Sequence, residues 1–284
     1  GWNDVTKREA IWNTLSVKSS FFFGGYYQMP QTLKDLVNEP TQRFFLVGRD
    51  EDLNVTFYSY LDDPRFFLLF DYFGNIGGVR IGFVKSDVHK YTTLNSLIFP
   101  YDYDKISMFK SDNIWNTDIW HSTILFVDPE KLKSGGRKET NGQVAEGIYS
   151  KIDGQWVNIA RDECEVKNQN FTKQSCHIGM GQHYAYKMTP TIDCKQIQPF
   201  APVYNKGQLI GFGLFPFGSY SPNSENLIWF ESSPRYSPEH IISNGPTCLT
   251  QWFKLFDVSS IHIYLTSSPR WTNCPFWERD DCKK

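Results

Sequence analysis

The sequence lacks any run of roughly 18 consecutive apolar residues, the length a membrane-spanning helix needs, so no helical span is expected in these 284 residues. It lacks an excess of charge of either sign: 29 basic against 31 acidic residues leave a formal net charge of −2. The most basic stretch, Lys131 to Lys138, reads as a solvated loop. A nucleic-acid partner held by a charged surface is therefore disfavoured. Cysteine is missing before Cys164, and no Cys-x-x-Cys pair occurs anywhere, which argues against a zinc ribbon or a thioredoxin-like motif. The start, "GWNDVTKREAIW", has no apolar core of a leader peptide and reads as a chain from which a leader has been removed.

Several catalytic signatures are missing too. "PFGSYSP" places Ser219 and Ser221 after a glycine but has no second glycine, so it is not a nucleophile elbow. "GRDEDL" and "GNIGGV" have neither the lysine nor the spacing of a phosphate-cradling loop. His183, Lys187 and Asp193 are the residue types of the phospholipase D signature, but both intervals are wrong. No Gly-x-Trp opens a first strand as in lipocalins, and the chain is long for one barrel.

What is present is aromatic. Phe, Tyr and Trp make up 17% of the chain, a composition that suits pleated sheets and also suits a pocket stacking on a flat or apolar ligand. From Phe44 onward, short runs such as "FFLVG", "NVTFYSYL", "GVRIGFV", "QLIGFGLF" and "SSIHIYL" alternate with Asp, Asn, Pro and Gly, as strands and turns do. Short helices are expected over Thr6 to Leu15 and Pro30 to Pro40. The polar stretch Leu132 to Gln143 is the best boundary. The expected fold is therefore mainly β, with antiparallel sheets forming a sandwich or barrel and few short helices. Its units are 1–135, an N-terminal β domain with short N-terminal helices, and 145–284, a disulfide-stapled β domain.

An internal likeness extends this to two related β domains. Asn54 to Val84 can be laid beside Gly181 to Phe215. Tyr58 and Tyr60 then fall on Tyr184 and Tyr186, and Ile81-Gly82-Phe83 falls on Ile210-Gly211-Phe212. Gly82 and Gly211, inside strand-like runs, point to a bulge or to close approach of another backbone.

Cys164, Cys176, Cys194, Cys248, Cys274 and Cys282 fit three disulfides made in an oxidising compartment. Fifteen pairings are open, and the short loop favours Cys164 with Cys176. Asn54-Val-Thr56 and Asn170-Phe-Thr172 are glycosylation sequons.

Candidate chemistry gathers at "GMGQHYAYKMTPTIDC" (Gly179 to Cys194). His177 and His183 share a face if the strand is regular, which makes them metal candidates, with Asp193, His121 or His262 as a third ligand. Against this stands the plainer reading of two histidines bonded within a sheet, so no metal or cofactor is expected. Acidic pairs such as Asp62-Asp63, Asp102 with Asp104, and Asp162-Glu163 could serve a glycosidase, but such residues are ordinarily turn formers.

The segment "MGQHYAYKMTPTIDC…PFAPVYNKGQLIGFG", with "NGPTCL" and "IHIYL" after it, resembles a group of secreted invertebrate proteins, chiefly from insects. The likeness covers mainly Tyr149 to Cys274 and implies an extracellular location. The resulting expectation is a secreted, non-enzymatic protein holding a small apolar or aromatic molecule among Tyr184, Tyr186, His183, Phe212 and Trp229. The alternatives are an extracellular hydrolase built on His183 and Asp193, metal-dependent or glycosidase-like, and a protein-binding effector of the salivary or venom kind.

Overall fold

In the computed structural model the described residues are 9–18, 25–38, 43–88, 98–218, 227–231, 241–275 and 282. The strands in chain order are β1 (Ser16–Lys18), β2 (Tyr26–Gln28), β3 (Phe44–Asp50), β4 (Val55–Tyr60), β5 (Phe66–Phe70), β6 (Ile76–Val84), β7 (Lys110–Ile114) and β8 (Thr117–Leu125). They continue with β9 (Tyr149–Ile152), β10 (Gln155–Asn158), β11 (Phe171–His177), β12 (Gly181–Tyr186), β13 (Phe200–Asn205), β14 (Gln208–Leu214) and β15 (Ile261–Tyr264). They form two antiparallel sheets. One runs β3-β4-β5-β6-β8-β9-β10, with β7 also paired to β8; the other runs β11-β12-β13-β14-β15-β1-β2.

The sheets pack as a sandwich rather than closing into a barrel. Alternation along the strands decides what goes between them. Val79, Ile81 and Phe83 of β6 point inward and join Phe200, Phe212, Ile261 and Ile263 of the second sheet in one apolar cluster. Aromatic side chains also bridge the layers. Trp229 stacks on Phe66 with centroids 4.5 Å apart and donates Nε1–H to Asp63, and Trp12 donates its indole N–H to the Leu209 carbonyl at 2.9 Å. Each buried indole therefore satisfies its polar edge.

The two halves of the chain repeat one plan, and the register shows it residue by residue. The cross-strand row Phe57–Leu69–Gly78–Leu125–Tyr149 in the first sheet matches His183–Val203–Gly211–Tyr264–Ser16 in the second. Register shifts recur in the same strand pairs, β3/β4 with β11/β12 and β5/β6 with β13/β14. The loops agree as well. Ile76 donates to the Gln31 carbonyl as Leu209 does to that of Arg161, and the bridge Thr32–Asn75 is repeated by Asp162–Gln208.

In each half an antiparallel pair of strands comes first in the chain, before β3 to β8 in one and β11 to β15 in the other, but that pair is added to the other half's sheet. β1–β2 extends β15, and β9–β10 extends β8. Neither 1–135 nor 145–284 therefore completes a sheet from its own strands. Tyr58 and Tyr60 do correspond to Tyr184 and Tyr186 in this register. The counterpart of Gly211 is Gly78, four residues before Gly82. The slip arises because the connection from β12 to β13, residues 187–199, is longer than that from β4 to β5, residues 61–65. A side chain on Gly78 or Gly211 would run into the facing strand, at the Ile124 and Ile263 carbonyls respectively. Gly82 also meets a backbone, that of Pro64.

Other expectations change. Residues 10–15 are not helical: Trp12 and Leu15 are fully buried, and β1 follows at once. The expected helix at Thr6 begins outside the described residues. Leu33–Asn38 is a helix, as the Pro30 to Pro40 pattern indicates. Thr247–Phe256 is a ten-residue helix that the strand-like reading overlooked. The stretch Lys131 to Lys138 is not simply a solvated loop, because Arg137 is buried in it and donates to the carbonyls of Gln143, Ile76 and Val144. The disulfides are Cys164–Cys282, Cys176–Cys274 and Cys194–Cys248, so the short-loop pairing of Cys164 with Cys176 is overturned. Among the described residues no helix is long and apolar enough to cross a membrane.

Candidate functional site

The repeat places two equivalent sites on the outer faces of the two sheets. In β6, Gly78 and Arg80 point outward between the inward Val79 and Ile81, so a cation in an otherwise apolar strand emerges on that outer face. Arg80 is only 5% exposed. Its Nε donates to Thr123 Oγ1 at 2.8 Å, one terminal nitrogen pairs with Asp50 Oδ2 at 2.7 Å, and the guanidinium lies 5.0 Å from the Phe57 ring centroid. Its other terminal nitrogen, Nη1, has no partner among the described residues. Burial would raise the Asp50 carboxyl, but the hydrogen bond and charge of Arg80 outweigh it and hold the group below the usual carboxylate range.

Around Arg80 lies an open pocket of about 240 Å³. Lys110, His121, Lys151, Trp156 and Asp52 help to line it. β7 and β9 lie along the same side of β8, which sets Lys110 opposite His121 and carries Lys151 beside Thr123. Trp156 faces Lys151 across the β9–β10 hairpin, whose Asp153-Gly154 turn has positive φ at both residues, as a tight hairpin requires. The Lys151 ammonium lies 5.8 Å from that indole centroid. His121 is buried, with Nε2 3.5 Å from Asp112 and Nδ1 unpartnered. Desolvation holds its pKa below the ordinary histidine value.

The equivalent place in the second sheet is closed. His183 and His262 reach toward each other over β13 and β14, and their Nε2 atoms are 3.0 Å apart. Gly213 makes room for them: a Cβ there would crowd the His262 ring at 3.0 Å. His183 Nδ1 lies 3.2 and 3.1 Å from the carbonyls of Ser175 and Gly181, so it carries the hydrogen. Nε2 of His183 then accepts from Nε2–H of His262, and the His262 Nδ1 lone pair is left without a partner. Both rings are neutral. Burial, with His177 nearby, lowers the His183 pKa to about 4, and burial beside His183 and Lys18 pushes His262 well below its usual value. Lys18, opposite His262 in register, is buried in a 2.9 Å ion pair with Glu231. The turn at Gly179 and the chain near Thr272 fold over this face, bonded to each other and fastened by Cys176–Cys274.

The sequence-predicted residues are thus partly brought together. His183 and His262 touch, and His177 lies at a ring-centroid distance of 5.9 Å from His183. A nitrogen–nitrogen distance of 3.0 Å is a hydrogen bond and is shorter than the roughly 3.3 Å that a tetrahedral zinc about 2 Å from each nitrogen would impose. Among the described residues no group of three or more His, Cys, Asp and Glu is placed to hold a metal ion. Asp193 caps its own turn by accepting from Lys195 N–H, and no described contact joins it to His183.

Tyr184, Phe212 and Trp229 are buried in the core, where the Tyr184 hydroxyl donates to Glu163. Tyr186 packs at the core margin and donates to Asp153. None of the five aromatic-site residues lines the open pocket. The acidic pairs are structural as well: Asp63 binds Arg65 and Trp229, Asp162 caps a helix, and Asp104 accepts from Trp120 and Ser111. Sequence reasoning missed Arg80, Lys110, Lys151 and Trp156. The available signal was the lone cation inside "GVRIGFV". No protein-family model, curated protein or solved structure matches this chain.

Proposed function

We propose that the chain is a secreted, non-enzymatic binding protein, and that its small-molecule seat is the open pocket around Arg80. One observation carries this reading. Arg80 is nearly buried yet leaves one terminal nitrogen without a partner beside a cavity, while the equivalent place in the other sheet is closed by histidines and an ion pair. That nitrogen stays accessible to solvent, so the pocket presents a guanidinium donor that water or a ligand completes. The flat face of Trp156 supplies the aromatic surface expected of the site.

Three disulfides support the extracellular location, as does the likeness to secreted invertebrate proteins. The glycoprotein character rests on the two sequons. The test is a screen of mixed small molecules followed by NMR on isotope-labelled protein. Shifts clustered at the Trp156 indole N–H and the Thr123 and Lys151 amides are the expected result. Binding that leaves all three unmoved would remove this pocket from the function.

A further inference from the structure

The repeat itself indicates what the pocket takes. In the second sheet Glu231 bridges Ser260, and Ser260 corresponds to His121 of the first. The residue bridging His121 is Lys110. Lys110 therefore stands where Glu231 stands, and by the same register Lys151 stands where Lys18 stands. One half holds an ion pair of 2.9 Å at this place, and the other holds two lysines. The remaining positions sharpen the contrast. Gly213, with no side chain, corresponds to Arg80, and the uncharged His183 and His262 correspond to Phe57 and Thr123.

Within the matched positions the second site is neutral, because Lys18 cancels Glu231. The first carries three cations, Arg80, Lys110 and Lys151, against the single carboxylate of Asp50, a surplus of two positive charges. No ion pair involving Lys110 or Lys151 occurs among the described residues. Asp52 stands exposed at the rim, Lys133 there is already paired with Glu130, and Asp112 is engaged with His121. Two lysines at positions that elsewhere form an ion pair repel each other until an anion comes between them.

We infer that the pocket binds a small organic oxyanion, a phosphate or sulfate monoester. Its charged group is held by Arg80 Nη1, Lys110 and Lys151, and its ring lies against Trp156. Guanidinium and ammonium donors on three sides suit a tetrahedral oxyanion, and the indole beside Lys151 suits a flat or sugar ring carried one bond away. This inference rests on the reading of the pocket as the ligand seat.

Phenyl phosphate, phenyl sulfate and the neutral phenyl β-glucoside are the probes, titrated into labelled protein and followed by NMR. The expected result is binding of one or both anions, seen at the Trp156 indole, with at least a tenfold loss in Lys110→Glu. That substitution installs the other half's charge pattern and lets residue 110 pair with Lys151. Lys110 is exposed on β7, so the variant keeps its fold, which its amide spectrum checks. Binding of phenyl phosphate over phenyl sulfate, or the reverse, would identify the anion. If only the neutral glucoside moves the indole, the oxyanion inference fails while the pocket remains the seat. If the anions bind equally well to Lys110→Glu, they bind elsewhere and the inference fails. If no probe moves the indole, the reading of the pocket fails and the inference with it.

Discussion

The two sheets place a cation on the same outer-face position beyond the last shared strand, Lys151 in one and Lys18 in the other, and treat it in opposite ways. Lys18 is buried beneath a covering segment and held by Glu231. Lys151 stands at an open pocket over an indole. The plan is the same and the strand register is the same, so the difference lies in a few side chains and in the segment fastened over the second site by Cys176–Cys274. The open site carries a lysine and an arginine where the closed one carries a glutamate and a glycine.

The largest expected break in this comparison comes from removing each lysine. Lys18→Met strands Glu231 in the interior and is expected to cost about 3–5 kcal/mol, whereas Lys151→Met is expected to change stability by no more than about 0.5 kcal/mol. Urea denaturation of the two variants tests this, and equal losses would mean the two sites are not differently buried.

Acid separates the halves next. The His183 pKa is near 4 in the folded protein against 6.5 when unfolded, so the unfolded chain takes up the proton first as pH falls. Stability is complete above about 6.5 and is lost as pH drops toward 4, by about 3 kcal/mol for this group. His262, also held low, adds to this in the same sheet, while His121 alone gives the first sheet a loss of the same sign. Urea midpoints between pH 7 and 4 should fall accordingly. The double substitution His183→Phe with His262→Thr, which copies Phe57 and Thr123, should flatten most of that slope.

A smaller effect should be shared by both halves. Gly78→Ala and Gly211→Ala each push a methyl group into the facing strand's backbone and should cost similar amounts, about 1–3 kcal/mol. A cost at only one of them would contradict the residue correspondence. Last, the two sequons should differ in occupancy. Asn170 is exposed at a helix end, while Asn54 donates its amide to the Lys133 carbonyl at 3.0 Å and accepts from Arg49. Glycopeptide mass spectrometry of the protein expressed through a eukaryotic secretory pathway should find sugar at Asn170 and not at Asn54.

Much of this architecture was legible because alternation is local. The β class, most strand positions and the matching tyrosines follow from period-two patterns and turn residues. The Gly78–Gly211 correspondence was missed because the connection between β12 and β13 is much longer than that between β4 and β5, and a register shift leaves no local mark. The disulfides join residues 54 to 118 positions apart, which spacing alone does not select. The histidine pair was half legible: even spacing drew attention to His183, but its partner His262 comes from a strand that only the sheet order brings near. Arg80 was visible in "GVRIGFV" as a charge that alternation sends outward. Its importance depends on Lys110 and Lys151, which are unremarkable as letters and become informative only beside Glu231 and Lys18.

The exchange of strand pairs between the halves has a consequence for how the molecule is made. On a ribosome β1 and β2 emerge before the other described strands, and their place beside β15 is made only after all of those have followed. For most of translation that segment is an orphan, with Trp12, Leu15 and Val17 still to be buried. The second sheet can close only once β15 is out, and its disulfides can form only after Cys274 and Cys282 have followed. Assembly of the two halves is therefore a single late event, and a truncated chain leaves a raw sheet edge rather than a smaller working protein.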